Sequence, residues 1–102
     1  MTVHIYALCN DYIGCFDAPI FVMQDEPTIQ EGYRRMVLGD PDQAFKALLH
    51  EKSLFYLGEY DDTNGVISPI EQPKKLIALA KLFPPGYLAK KEALSNGIPQ
   101  VN

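Results

Sequence analysis

The chain has 102 residues, 47% of them hydrophobic, with 13 acidic and 9 basic side chains and a formal net charge of −4. That length fits one domain able to bury a modest core, and the hydrophobic content argues against disorder over most of the chain. The acidic balance argues against a strongly electrostatic nucleic-acid binder, because such binding draws on many phosphate neutralisations, but it leaves room for a local basic patch.

In chain order, the first expected element is a strand from Val3 to Cys9. Alternation puts Val3, Ile5, Ala7 and Cys9 on one face and His4, Tyr6 and Leu8 on the other. Both faces are apolar or aromatic, which suits a strand covered on both sides. Asn10-Asp11 starts a turn, with Gly14 as a second flexible point. A second strand is expected between Ile13 and Met23, and Pro19 confines it to an edge or breaks it.

Asp25-Glu26-Pro27 reads as a helix start, because acidic groups favour the positive end of the helix dipole and proline suits the first turn. Ile29, Tyr33, Met36 and Val37 then form one apolar stripe, and Gly39 is a natural stop. Asp40-Pro41 restarts the chain, with Asp40 as an N-cap for a short second helix carrying Ala44, Phe45, Leu48 and Leu49. Ser53 to Asp61 is the clearest strand, with Phe55, Tyr56 and Tyr60 favouring extended backbone. Asp62-Thr63-Asn64-Gly65 is a tight-turn sequence, and Val66 to Ile70 returns as its hairpin partner. Helical spacing of Leu76, Leu79, Ala80 and Phe83 predicts a short helix from about Lys74 to Phe83.

These elements give an α+β fold: an antiparallel sheet of about four strands, one or two helices, a short C-terminal helix and a tail. The domain is expected over residues 1–83. Residues 84–102 are expected to be a tail that is mobile or docks on a neighbouring subunit.

Catalytic patterns are missing. His4 and His50 lack motif partners, and nothing matches a nucleophile elbow, a P-loop, a zincin or a zinc spacing. Cys9 and Cys15 fit no disulfide or metal framework and read as reduced thiols, with at least one in the core. Asp61-Asp62-Thr63-Asn64-Gly65 lacks the ligand alternation of a calcium loop, and a hairpin turn explains it. Glu59 and Asp61 share a strand face, but no cleft is implied around them. The expectation is therefore no enzyme, no metal and no cofactor. The first residues lack a signal-peptide pattern, and no segment approaches the ~18 apolar residues of a membrane span. A cytosolic protein with no membrane association is expected.

The segment Leu54-Phe55-Tyr56-Leu57-Gly58-Glu59-Tyr60-Asp61-Asp62, with Gly65 and Ile67, resembles a signature of the small non-structural DNA-binding protein of gokushovirus-type, Chlamydia-phage-like microviruses. Val3 to Tyr6, Pro19 to Phe21, and Asp40-Pro41 followed by Phe45 agree with that family in the same order, so the resemblance runs from about Val3 to Ile77. The chain departs from the pattern at Leu48-Leu49-His50 and in its longer tail. The resemblance implies a bacteriophage protein of the Microviridae in the host cytoplasm. It also implies binding of single-stranded DNA during genome replication or packaging.

Single strands are held by aromatic platforms beside positive groups. Tyr6, Tyr56 and Tyr60 are the candidate platform, because a tyrosine hydroxyl tolerates a wet surface, and the four-residue spacing of Tyr56 and Tyr60 predicts a shared face. Arg34, Arg35, Lys74 and Lys75 are the candidate phosphate contacts. A homo-oligomer is expected, since symmetry repeats a weak patch that one acidic copy cannot supply alone. The competing reading is an interaction module that binds a phage or host protein and no nucleic acid.

Overall fold

A computed structural model describes residues 1–39, 43–84 and 87. Four strands, β1 (Thr2–Asn10), β2 (Ile20–Val22), β3 (Lys52–Asp61) and β4 (Val66–Ala78), form one antiparallel sheet in the order β2-β1-β3-β4. Helices α1 (Glu26–Leu38) and α2 (Gln43–His50) lie between β2 and β3 in sequence, and a 3-10 turn, Leu79–Leu82, follows β4. The fold is α+β, as the sequence pattern implies. The expected N-cap Asp40 and the tail beyond residue 87 lie outside the described residues.

Local chemistry explains α1. The Asp25 carboxylate accepts from the Thr28 backbone N–H at 3.1 Å, Pro27 sits in the first turn, and the Gly39 N–H closes the helix on the Arg35 carbonyl. These contacts satisfy backbone groups that a helix end would otherwise leave open. The β3–β4 hairpin is built the same way. The Asp61 carboxylate accepts from the Thr63 N–H, the Asn64 side chain accepts from the Val66 N–H, and Gly65 takes φ +76°.

One cluster holds the layers together: Tyr6 of β1, Val37 of α1, Leu49 of α2, Leu54 of β3 and Leu79 of the 3-10 turn. Leu8, Val22, Ile29, Tyr33, Tyr56, Leu76 and Phe83 pack around it. Both helices and the turn thus cover one face of the sheet. Removing a core leucine such as Leu54 costs about 3 kcal/mol, since the cavity adds to the lost transfer free energy.

Two irregularities in register set what each face carries. Along β1 and β3, Ile5 pairs with Gly58 but Tyr6 pairs with Tyr56, so Leu57 is an extra residue. Facing it on β4, Ile70–Pro73 are skipped between the partners Tyr56↔Lys74 and Gly58↔Pro69. An extra residue inverts alternation beyond it. Tyr56 therefore shares a face with Tyr6, while Tyr60, paired with Val3, lies on the other. The expectation that Tyr56 and Tyr60 share a face fails at this bulge.

Gly58 makes the bulge possible. It adopts φ +148°, and a Cβ there would lie 2.5 Å from the Ser68 carbonyl oxygen and 2.7 Å from the Pro69 Cα. Only glycine fits so close to a neighbouring backbone in that conformation.

The first half of the segment expected as a C-terminal helix is strand. β4 runs to Ala78, which pairs with Ser53, and only Leu79–Leu82 coil. Leu76 is a further extra residue between the pairs Leu54↔Ile77 and Phe55↔Lys75. Leu76, Ile77 and Leu79 all reach the core from this bulged strand and turn. Helix-like spacing is thus produced without a helix, because pairing with β3 satisfies the backbone.

Candidate functional site

Among the described residues no helix covers the other face of the sheet, and this helix-free face is floored by buried residues of β1: Val3, Ile5, Ala7 and Cys9. Cross-strand partners place Phe21 beside Ile5, Phe55 beside Ala7 and Tyr60 beside Val3. Phe16 arrives from the loop after β1 and bridges to Cys9. The rings form two edge-to-face pairs, Phe16–Phe55 at 5.2 Å and Phe21–Tyr60 at 5.7 Å between centroids. Phe16 stays 44% exposed and Phe21 46%, while Phe55 and Tyr60 are half-buried. Single exposed hydrophobics are ordinary, but rings and aliphatic groups gathered on one sheet face mark a contact surface.

The loop that carries Phe16 is fixed by its own polar groups. Asn10 accepts from the Tyr12 and Ile13 N–H groups, Gly14 takes φ +71°, and the Asp17 N–H returns to the Leu8 carbonyl. Asp11 accepts both contacts from the buried Ser53 hydroxyl, at 2.8 and 2.9 Å, and Lys52 pairs with Asp17. This anchoring holds Phe16 against the sheet.

Lys75 is the cross-strand partner of Phe55, so it lies on the same face. Among the described residues it has no ion-pair partner. The site therefore has rings, a floor of buried side chains and one available ammonium beside a ring.

The structure separates the residues that the sequence suggested for nucleic acid. Tyr6, at 1% exposure, faces the helices and donates its hydroxyl to the Gln24 carbonyl at 2.8 Å. Tyr56 stands edge-on to Tyr6, with centroids 5.5 Å apart, and its hydroxyl lies 3.2 Å from the His4 Nδ1. Burial raises both phenols, that of Tyr6 to about 12. The Tyr6 ring is closed to a base, and the half-buried Tyr56 packs on the helix side rather than with the other rings. Tyr60 is the one candidate tyrosine on the helix-free face.

The cations divide likewise. Arg34 and Arg35 both bond Glu31 on α1, at 2.7 and 3.1 Å, and hold its carboxyl down at about 2. Lys74, on the helix side, reaches Glu26 at 3.3 Å. Of Arg34, Arg35, Lys74 and Lys75, only Lys75 joins the aromatic face.

Sequence reasoning did not single out Phe16, Phe21 and Phe55. The available signal was the excess of apolar residues on both faces of β1, combined with helices enough to cover only one. Among the described residues no group of His, Cys, Asp and Glu is placed to hold a metal, and no helix is long and apolar enough to cross a membrane. Cys9 is buried and Cys15 exposed, both as free thiols. Comparison with protein-family models, curated proteins and solved structures finds no match.

Proposed function

We propose that this protein is a non-catalytic binding protein for single-stranded DNA whose contact surface is the helix-free face of the sheet. The observation that carries the reading is the ring set Phe16, Phe21, Phe55 and Tyr60 over a floor of buried β1 side chains, with Lys75 beside Phe55 and, among the described residues, in no ion pair. Bases stack on such rings at about 1–3 kcal/mol each, and stacking tolerates any sequence. The resemblance to the microvirus non-structural protein points the same way, to a phage protein acting in the host cytoplasm.

The arrangement changes how the binding should respond to salt. With Arg34, Arg35 and Lys74 tied to carboxylates, stacking supplies most of the affinity. Each phosphate contact on a single strand contributes about −0.7 to the salt slope, so Lys75 alone gives a shallow one. Anisotropy of a labelled oligothymidine at two salt concentrations should show weak, saturable binding. Phe55→Ala and Tyr60→Ala should each weaken it by roughly tenfold or more. Glu31→Gln, which releases Arg34 and Arg35 on the helix layer, should leave it unchanged. Wild-type affinity in both aromatic variants, or no binding in dilute buffer, removes the reading.

The net charge of −4 and the paired arginines favour one alternative on the same face: a phage or host protein seated on the aromatic surface. In that case oligonucleotides fail to bind wild type, while Phe55→Ala loses the protein partner.

A further inference from the structure

The rings of the helix-free face are grouped rather than evenly spread. Phe16 lies beside Cys9 and Phe55 beside Ala7, so this pair crosses β1 between Ala7 and Cys9. Phe21 lies beside Ile5 and Tyr60 beside Val3, so the second pair crosses β1 between Val3 and Ile5. The two crossings are about four residues apart, or about 13 Å at the rise of an extended strand. Between them β3 presents the buried Gly58, which has no side chain, and its β4 partner is Pro69. Among the described strand partners, the middle of the face is therefore aliphatic.

The two ring pairs also differ in charge. Lys75 is the β4 partner of Phe55, so an ammonium flanks the first pair. Tyr60 of the second pair has Val3 and Ile67 as partners, and neither is charged. Carboxylates stand past both ends of the row. Asp61 and Asp62 follow Tyr60 into the hairpin turn, where the Met1 ammonium pairs with Asp62. Asp11 and Asp17 bracket the loop that carries Phe16, where Lys52 pairs with Asp17 and Asp11 bonds the neutral Ser53 hydroxyl. At each end two carboxylates thus face one ammonium.

We propose, on the basis of the single-strand reading of this face, that it holds a short length of DNA in two unequal subsites. Phe16 and Phe55 form a nucleotide subsite, where a base stacks and Lys75 meets a phosphate. Phe21 and Tyr60 form a base subsite, where stacking acts alone. A stacked strand advances about 3.4 Å per nucleotide, so about five nucleotides reach across both subsites, and a more extended strand needs fewer. Phosphates of a longer strand run toward the carboxylates at either end and add no attraction. The acidic balance of the chain therefore limits the length that is bound.

Amide chemical-shift titrations with the thymidine dinucleotide, pentanucleotide and decanucleotide test this, each strand in excess so that it meets one copy of the protein. The dinucleotide should bind weakly and move amides around Phe16, Phe55 and Lys75. The pentanucleotide should also move those around Phe21 and Tyr60 and bind at least about tenfold tighter. The decanucleotide should gain no more than about sixfold over it, the number of registers it offers a five-nucleotide site. All three should share one salt slope of about −0.7, since each sets a single phosphate against Lys75, and Lys75→Gln should flatten it. Tyr60→Leu keeps bulk but removes the ring. It should cancel the gain from dinucleotide to pentanucleotide and leave the dinucleotide as in wild type, with the same spectra reporting its fold. The length series and Lys75→Gln decide the matter even where Tyr60→Leu fails to fold. A protein that no oligonucleotide shifts loses the single-strand reading and the subsites with it. Binding that survives with a slope that steepens with length, a larger decanucleotide gain, or equal weakening of both short strands by Tyr60→Leu overturns the subsites and leaves the reading of the face standing.

Discussion

The two faces of this sheet share a backbone and differ in almost every other respect. The helix side has a closed cluster around Tyr6, Leu54 and Leu79, with the Tyr6–Gln24 and His4–Tyr56 contacts made within it. The other side has equally apolar floor residues, Val3, Ile5, Ala7 and Cys9, but among the described residues its roof is the edges of four rings. Similar hydrophobicity therefore serves stability on one face and availability on the other. What separates them is which face the two short helices cover.

The largest expected effect comes from removing the switch between the faces. Gly58→Ala must fit a Cβ against the backbone of Ser68 and Pro69 in a conformation that L side chains rarely adopt. Either the bulge closes, turning Tyr60 toward the helices, or the hairpin shifts. We expect a loss of about 3 kcal/mol or more in urea unfolding. A variant as stable as wild type would show that the bulge is dispensable and that the two faces are not fixed by it.

The next effect tests the comparison across a single peptide bond. Leu54 and Phe55 are neighbours on β3, but Leu54 is fully buried under the helices and Phe55 is half-buried on the aromatic face. Leu54→Ala should cost about 3 kcal/mol of stability. Phe55→Ala removes a larger side chain yet should cost only about 1 kcal/mol, the worth of a partly exposed ring and its edge-to-face partner Phe16. Urea denaturation of both variants checks the order. Equal losses would mean that the aromatic face is a second core.

How much of this was legible beforehand depends on how local the cause is. Asp25, Pro27 and Gly39 announce α1 because capping is decided within a few residues. Asn64-Gly65 announces the hairpin for the same reason. The bulge at Leu57 was hidden, since Gly58 in a strand is explained only by the approach of Ser68 and Pro69 from β4. The four-residue spacing of Tyr56 and Tyr60 was therefore read as one face. Leu76, Leu79, Ala80 and Phe83 suggested a helix because spacing alone does not tell a helix from a bulged strand running into a 3-10 turn. The site followed the same rule. Tyr60 and Lys75 were found by residue type, whereas Phe16, Phe21 and Phe55 needed the sheet order to show that no helix covers them.

The smallest effect concerns a hydroxyl on the covered face. Burial, aided by nearby Tyr56, Glu26 and Asp25, pushes the Tyr6 phenol to about 12 from an ordinary value near 10. The folded state therefore holds this proton more tightly than the unfolded chain does. That contribution is complete below about pH 10 and disappears as pH rises from there through about 12. Tyr6→Phe has no such proton to lose. At neutral pH it should be less stable by about 1 kcal/mol, since the hydroxyl bond to the Gln24 carbonyl is gone. Between pH 10 and 12 the wild type should fall toward it, so the gap narrows as alkali removes the advantage. Urea midpoints for the two proteins at neutral pH and through that window measure the gap. A gap that stays constant would mean that Tyr6 ionises as freely as an exposed tyrosine, and that the helices do not seal this face as the packing of Tyr6, Val37 and Leu54 requires.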